Sequence, residues 1–179
     1  MTSVDKREPV LQPKVHESVF VAEGAHIYGD VEIGEGSSIW FNAVIRGDEG
    51  KVTIGKNTNI QDNTVVHSDD GAEVEIGDNV TIGHGAVIRG GKIGNDVMVG
   101  MNATVMSNSE IGANSIVGGN SFVPYFKKFP KGSILAGAPA KLIREAGEKD
   151  VEAARLAPRI YSDLVRRYSE KKIVGYEKK

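Results

Sequence analysis

The amino-acid sequence predicts a mainly β fold, a parallel β-helix of six-residue repeats followed by a C-terminal α-helix. Three observations predict it: a branched aliphatic residue that recurs every six positions, a glycine that often follows this residue, and few aromatic side chains. The 179 residues include 22 glycines, while Phe, Trp and Tyr make up 6%. Abundant glycine with few large rings suits tight, evenly spaced turns around a narrow core.

The repeat is a series of Val and Ile residues, most of them six positions apart. The series comprises Val21, Ile27, Ile33, Ile39, Ile45, Ile54, Ile60, Val66, Ile76, Ile82, Ile88, Ile93, Val99, Val105, Ile111, Val117 and Val123. A period of six does not fit the 3.6 of a helix, and an antiparallel sandwich would need alternating strands with longer turns. One inward aliphatic per short strand predicts a triangular prism of about five coils, with three hexads per coil.

The pattern divides the chain into four segments. Residues 1–20 form an N-terminal lead-in and residues 21–123 form the β-helix. Proline and glycine mark 124–147 as an extended return segment. Residues 148–179 hold the C-terminal helix and tail, with helix from Glu148 to Lys172 that breaks or restarts at Pro158. The apolar stripe of this helix should lie on the prism or on a neighbouring subunit, and it comprises Ile160, Tyr161, Leu164, Val165 and Tyr168.

Composition excludes several classes of function. The formal net charge is -2 with 26% charged residues, which gives no basic field for nucleic acid and no polybasic membrane patch. No apolar run approaches the ~18 residues needed to cross a bilayer, and the N-terminus lacks the apolar core of a secretory signal. Cysteine is absent, so disulfides and thiolate chemistry are excluded. We expect a cytoplasmic enzyme or binding protein.

Polar residues collect in one column of the predicted prism. Every third hexad returns to the same face, and the position after the aliphatic residue on this face is Tyr28, Arg46, His67, Arg89 and Met106. Arg46, His67 and Arg89 should therefore stack about 4.8 Å apart in successive coils. The repeat spacing changes here too, because Ile45 and Ile54 are nine residues apart and Val66 and Ile76 are ten. Loops should therefore emerge beside the polar column, and the neighbouring column adds Gln61, Asp62 and His84.

These residues also have simpler interpretations. Arg46 and Asp48 could form an ordinary salt bridge, and Gln61 and Asp62 could satisfy backbone amides at turns. The histidines of both columns could be surface residues, as we expect for His16 and His26.

Several motifs resemble those of γ-class carbonic anhydrases, within the superfamily of left-handed β-helices built from hexapeptide repeats. They are Ser38–Asp48, Asn59–His67, Val80–Gly85, Gly94–Met101 and Gly137–Lys141, in the family's order over nearly the whole chain. The left hand of the predicted helix comes from this resemblance. The resemblance also implies a homotrimer with active sites at subunit interfaces, zinc or iron held by three histidines, and CO2 or bicarbonate, or another small anion, as the ligand.

The resemblance assigns roles to individual residues. His67 and His84 of neighbouring subunits match two metal ligands, Gln61 orients the reacting hydroxide, and Arg46 with Asp48 organises the interface or binds bicarbonate, while Asp62 matches the active-site surroundings. The third ligand position holds Arg89. A guanidinium stays protonated and has no lone pair for a metal, so Arg89 predicts weak or absent metal binding and hydration.

Two other functions fit the same sequence. A metal-free anion binder or scaffold could use the guanidinium groups of Arg46 and Arg89. A coenzyme A-dependent acyltransferase or thioesterase could use His67 or His84 as a general base.

Overall fold

The computed structural model describes residues 10–69 and 71–176. Residues 1–9 of the predicted lead-in and residues 177–179 of the predicted tail lie outside that description. The described chain forms a parallel β-helix with one α-helix, which confirms the predicted fold class.

The strands form the three faces of the prism. The first face contains the start of β3 (His26–Ile33), the start of β5 (Val44–Ile54), β7 (Val65–His67), β10 (Val87–Arg89), β13 (Thr104–Val105) and β16 (Phe122–Val123). The second contains β2 (Phe20–Val21), β4 (Ser38–Ile39), β6 (Asn59–Ile60), β9 (Thr81–Ile82), β12 (Met98–Val99), β15 (Ile116–Val117), β18 (Ser133–Gly137) and the antiparallel β19 (Ala140–Glu145). The third contains β1 (Lys14–Val15), the ends of β3 and β5, β8 (Val74–Ile76), β11 (Gly91–Ile93), β14 (Glu110–Ile111) and β17 (Lys128–Phe129).

The prism has about seven turns, so the predicted number of about five was too low. The missed coils lie at both ends of the repeat. Lys14 pairs in register with Glu32, and Phe129 and Leu135 continue the six-residue spacing beyond Val123. The prolines of this region conceal the repeat in the sequence. A proline is compatible with the β-helix at this place, because Pro130 follows a strand instead of interrupting one.

The predicted aliphatic series fills the core. From Ile33 to Val123 its members are at most 4% exposed, and they form one continuous cluster. Before Ile33 the series is less buried. Ile27 is partly buried, and Val21 is 45% exposed because β2 is the terminal strand of its face. The corners between strands carry Asn or Asp in the left-handed region, for example Asn63 at φ 58° and Asn102 at φ 57°. These residues tolerate that conformation better than other non-glycine residues.

Helix α1 (Glu148–Ser169) packs against the second face. It is continuous, so the predicted break at Pro158 was wrong. Pro158 and Ala154, one turn earlier, are the buried residues of the helix, so packing against the prism holds the helix together where the proline ring removes a hydrogen bond. Ile160 was predicted to belong to the apolar stripe, but it is 50% exposed, so this part of the prediction was wrong. In the described part of the chain no helix is long and apolar enough to cross a membrane.

A cluster of aromatic rings packs the C-terminal half of α1 against the prism. The buried Trp40 ring lies 5.0 Å from the Tyr161 ring and 5.6 Å from the Tyr168 ring, centroid to centroid, and its indole N–H donates to Ser38 Oγ at 2.9 Å. At the other end of the helix, Asp150 accepts hydrogen bonds from Gly147 N at 2.8 Å and from both terminal nitrogens of Arg144. The Arg144 guanidinium and the Gly147 amide lower the pKa of Asp150 to about 2.

Acid should loosen the start of α1 through Asp150. Because its folded-state pKa of about 2 lies below the usual 3.8, the stabilising contribution is complete above about pH 5 and is lost as pH falls toward 2. The melting temperature is measured by the helical circular dichroism signal at several pH values between 7 and 2. As pH falls, it should decrease more steeply for the unaltered protein than for Asp150→Asn. Glu152→Gln on the same helix is the matched control. Identical profiles for Asp150→Asn and the unaltered protein would contradict this expectation.

Candidate functional site

The polar column exists as predicted. On the first face Tyr28 pairs with Arg46, Arg46 with His67, and His67 with Arg89, each on the next strand of the stack. The long connections that follow β7 and interrupt β5 bring Asp69 and Glu49 to the same edge of the prism.

His67 belongs to a cluster with Arg46 and Asp48. Its Nε2 atom lies 3.0 Å from Asp48 Oδ1 and 3.3 Å from Arg46 Nη2. Arg46 Nε donates to Asp48 Oδ2 at 3.0 Å, so these two residues do form the salt bridge that the sequence suggested. Partial burial opposes ionisation of Asp48, but hydrogen bonds from Arg46 and from the backbone outweigh it and hold the pKa of the carboxyl below its usual value. Nε2 of His67 either donates to Asp48 or, when unprotonated, accepts from Arg46, and the second form could bind a metal that replaced Arg46 at this atom.

Arg89 turns toward a different carboxylate. Its Nε donates to Asp69 Oδ1 at 2.6 Å, and the Ser107 hydroxyl contacts both Asp69 Oδ2 and, at 2.5 Å, the Arg89 carbonyl oxygen. The hydrogen bond from Ser107 and the guanidinium of Arg89 lower the pKa of Asp69, against the opposing effect of burial. The same ion pair raises the pKa of Arg89. Arg89 is therefore a charged partner of Asp69 and has no lone pair for a metal.

Three potential metal ligands meet beside this ion pair. One ligand atom each from Glu49, His67 and Asp69 lies within 4.8 Å of the others. The column count from the sequence did not find Glu49 or Ser107, because neither follows an inward aliphatic residue.

His84 belongs to a second cluster with Asp62, Gln61 and Tyr161. Its Nδ1 lies 2.7 Å from Asp62 Oδ2, and its Nε2 lies 3.2 Å from the Tyr161 hydroxyl. The Nδ1–H group of His84 donates a hydrogen bond to Asp62, so the lone pair of the ring is on Nε2. Metal-binding histidines are often oriented by a carboxylate in the same way. Burial, with a smaller contribution from the charge of Asp62, raises the pKa of Tyr161 to about 12, so its hydroxyl stays protonated and donates to Nε2.

Gln61 is buried beneath His84. Its Oε1 accepts from the His84 backbone N–H at 3.1 Å, and its Nε2 donates to Asn59 Oδ1 at 3.1 Å. The side chain therefore fixes the corner that carries His84. Tyr161 was predicted only as part of an apolar stripe, because a ring that packs and a hydroxyl that donates have the same sequence signature.

The two clusters remain separate within one chain. The first gathers Arg46, Asp48 and His67 on the first face, and the second gathers Gln61, Asp62 and His84 at the corner after the second. Among the described residues no hydrogen bond or ion pair joins them. A cleft of about 540 Å³ beneath α1, lined by Asp96, Arg155 and others, touches neither cluster.

The residues present fit two of the three positions of a three-histidine metal site. Asp62 orients His84 so that Nε2 carries the lone pair, which a metal would take over from the Tyr161 hydroxyl, and His67 offers a lone pair when Nε2 is unprotonated. The third position does not fit, because the Arg89 guanidinium is charged and bound to Asp69.

Comparisons with known proteins agree with the fold and point to one family. The model for bacterial transferase hexapeptide repeats matches residues 12–47 and 90–124. Over 141 residues the chain is 47% identical to a Methanocaldococcus jannaschii protein named probable carbonic anhydrase, and this match covers 79% of the chain and 89% of that protein. Gamma carbonic anhydrase 2, mitochondrial, of Arabidopsis thaliana is 51% identical over 47 residues, which span 26% of this chain and only 17% of that protein.

A solved structure is similar over nearly the same length. The crystal structure of a hexapeptide transferase family protein from Anaplasma phagocytophilum matches with a TM-score of 0.84 at 38% identity. The match covers 88% of this chain and 93% of that chain.

Substitutions at Tyr161 should separate its packing from its hydrogen bond. Trp40 is the only tryptophan, so its fluorescence reports how α1 is seated. Tyr161→Phe removes one hydrogen bond and should lower the free energy of unfolding by about 1 kcal/mol without shifting Trp40 emission. Tyr161→Ala opens the aromatic cluster, so it should cost about 2–3 kcal/mol and shift the emission to the red.

Tyr176→Ala is the matched control, because that ring is 92% exposed and should affect neither quantity. A red shift in Tyr161→Phe equal to that of Tyr161→Ala would refute the assigned packing role.

Proposed function

Because the chain belongs to the γ-class carbonic anhydrase-like family of hexapeptide-repeat proteins, we propose that it forms a homotrimer with a metal site shared between subunits. The ion, zinc or iron, lies between His67 of one subunit and His84 of its neighbour. CO2 and bicarbonate are the proposed ligands, and hydration is weaker than at a three-histidine site.

One observation carries the proposal: Asp62 orients His84 as it would orient a metal ligand, yet His84 and His67 belong to separate clusters of a single chain. His67 faces Arg46 and Asp48, while His84 is oriented by Asp62. A second copy of the chain is needed to bring the two imidazoles to one ion. Site residues that stay apart in the monomer are expected when an active site forms at an interface.

The first face supports association. Its outward row, next to the polar column, runs in register through His26, Val44, Val65, Val87, Thr104 and Phe122. The third face instead carries charged pairs, including Lys51–Glu32 at 3.0 Å and Lys92–Glu75 at 2.7 Å. The row has Val44, Val65 and Val87 at its centre, so its burial between subunits would remove apolar surface from water. Burial of the third face would instead desolvate ion pairs. The first face is therefore the better interface.

The residues around the histidines would serve the reaction in distinct ways. A zinc ion bound by three protein ligands lowers the pKa of a bound water to about 7 and so supplies a nucleophile at neutral pH. Asp62 would keep the lone pair of His84 on Nε2, where the ion would replace the Tyr161 hydroxyl, and Gln61 fixes the backbone that carries the ring. Arg46 offers a guanidinium to bicarbonate while Asp48 holds its orientation.

Two other functions make different predictions. A metal-free anion binder would use Arg46, whose side chain is 45% exposed, and would bind bicarbonate equally well with or without metal. A coenzyme A-dependent acyltransferase is suggested by the similarity to a hexapeptide transferase family protein, and it would bind an acyl-coenzyme A in calorimetry. We favour the anhydrase-like function, since His84 is oriented as a ligand by Asp62 and the relative matched over most of its length is named a carbonic anhydrase.

Metal analysis tests the proposal directly. Protein expressed with added zinc or iron and purified should carry about one metal ion per chain, and His67→Ala and His84→Ala should each lose it. Arg89→His should raise both metal retention and CO2 hydration, because it supplies the missing imidazole.

His16→Ala is the matched control, since His16 contacts Ser18, lies outside both clusters and the apolar row, and should leave metal content unchanged. Metal-free protein from metal-supplemented cells would rule out the proposed site, and tight acyl-coenzyme A binding would favour the transferase.

A further inference from the structure

The third ligand position suggests how this chain departs from a three-histidine site. Arg89 lies directly opposite His67 in register, where a third imidazole would be placed, but its guanidinium turns to Asp69. We propose that carboxylates replace the missing imidazole: Asp69, with Glu49 beside it, completes a metal site together with His67 and the neighbouring subunit's His84. This inference rests on the proposed function and names the ligand that Arg89 cannot supply.

The distances permit coordination. In a tetrahedral zinc site with bonds of about 2.0–2.1 Å, neighbouring ligand atoms lie about 3.3 Å apart. Ligand atoms of Glu49, His67 and Asp69 already lie within 4.8 Å of one another. Closure by about 1.5 Å is within reach of side-chain rotation, since Glu49 is exposed and leaves the prism on the connection inside β5.

Asp69 has the supports of a prepared ligand. Ser107 and Arg89 each contact one of its oxygens, and these contacts hold the carboxylate in one orientation beside His67. Ligating carboxylates are normally hydrogen-bonded in this way by outer residues. Arg89 then becomes a positioning residue that acts through Asp69.

Charge favours a divalent cation here. Asp48, Glu49 and Asp69 bring three negative charges, while Arg46 and Arg89 bring two positive ones, so the group has a formal charge of -1 when His67 is neutral. The Nε–H group of Arg89 donates to Asp69 Oδ1 at 2.6 Å. The Asp69 carboxylate therefore lies between the guanidinium and the proposed ion. Two histidine nitrogens and one carboxylate form a known catalytic zinc set.

The test uses Co²⁺ as the probe and does not depend on activity. The chelator-treated full-length trimer is titrated with Co²⁺, followed by calorimetry and by the visible absorption bands, whose shape reports the ligand set. Asp69→Asn and Glu49→Gln should each weaken Co²⁺ binding by about tenfold or more and change the bands. Arg89→Ala should weaken binding through loss of the contact that holds Asp69. Glu73→Gln, a nearby carboxylate outside the cluster, is the control and should change affinity by less than about twofold.

A rescue variant separates ligand from structural roles. Adding Arg89→His to Asp69→Asn should restore Co²⁺ affinity and give the bands of a three-imidazole site. If Co²⁺ binding depends on His67 but stays unchanged in both Asp69→Asn and Glu49→Gln, the carboxylate inference is wrong and the proposed function stands. If neither the unaltered trimer nor Arg89→His binds Co²⁺, both are wrong.

Discussion

In-register pairing of successive coils sets the position of every side chain on the prism. Each inward Ile or Val fixes its strand against the strands of the coils before and after, so the next position stacks in a column. A slip of one residue would turn the aliphatic residues outward. Successive coils also approach closely at the corners, which favours the same register. A Cβ atom on Gly55 would lie only 2.6 Å from the Gly77 carbonyl carbon.

The same constraint explains why the candidate site is divided. A column can stack Arg46, His67 and Arg89, but it cannot bring in His84, which leaves the prism at a different corner. The scaffold therefore holds the cluster around His67 and the cluster around His84 at two separate places on the prism. Association of subunits is the simplest way to join them, and the apolar row on the first face lies beside the half-site that contains His67.

Much of this follows from the sequence, and the failures have physical causes. The hexad period predicted the fold and the column, because both depend only on spacing, whereas the salt bridge between Arg46 and Asp48 was one of two interpretations left open. The coil number was too low, because Phe129 replaces the aliphatic signal and the prolines conceal the spacing. Other features depend on which of several nearby partners a side chain contacts. These are the orientations of Arg89, Asp69 and Ser107 and the hydrogen bond from Tyr161 to His84. Spacing carries no information about that choice.

Anomalous diffraction at the zinc absorption edge, from crystals of the trimer grown with zinc, would locate the ion. A metal site shared between subunits requires a peak about 2.0–2.1 Å from a ring nitrogen of His67 and from Nε2 of the neighbouring subunit's His84, with an oxygen of Asp69 or Glu49 completing the shell. A trimer without a peak at this position, with Nε2 of His84 still bound to Tyr161 in every subunit, would contradict it.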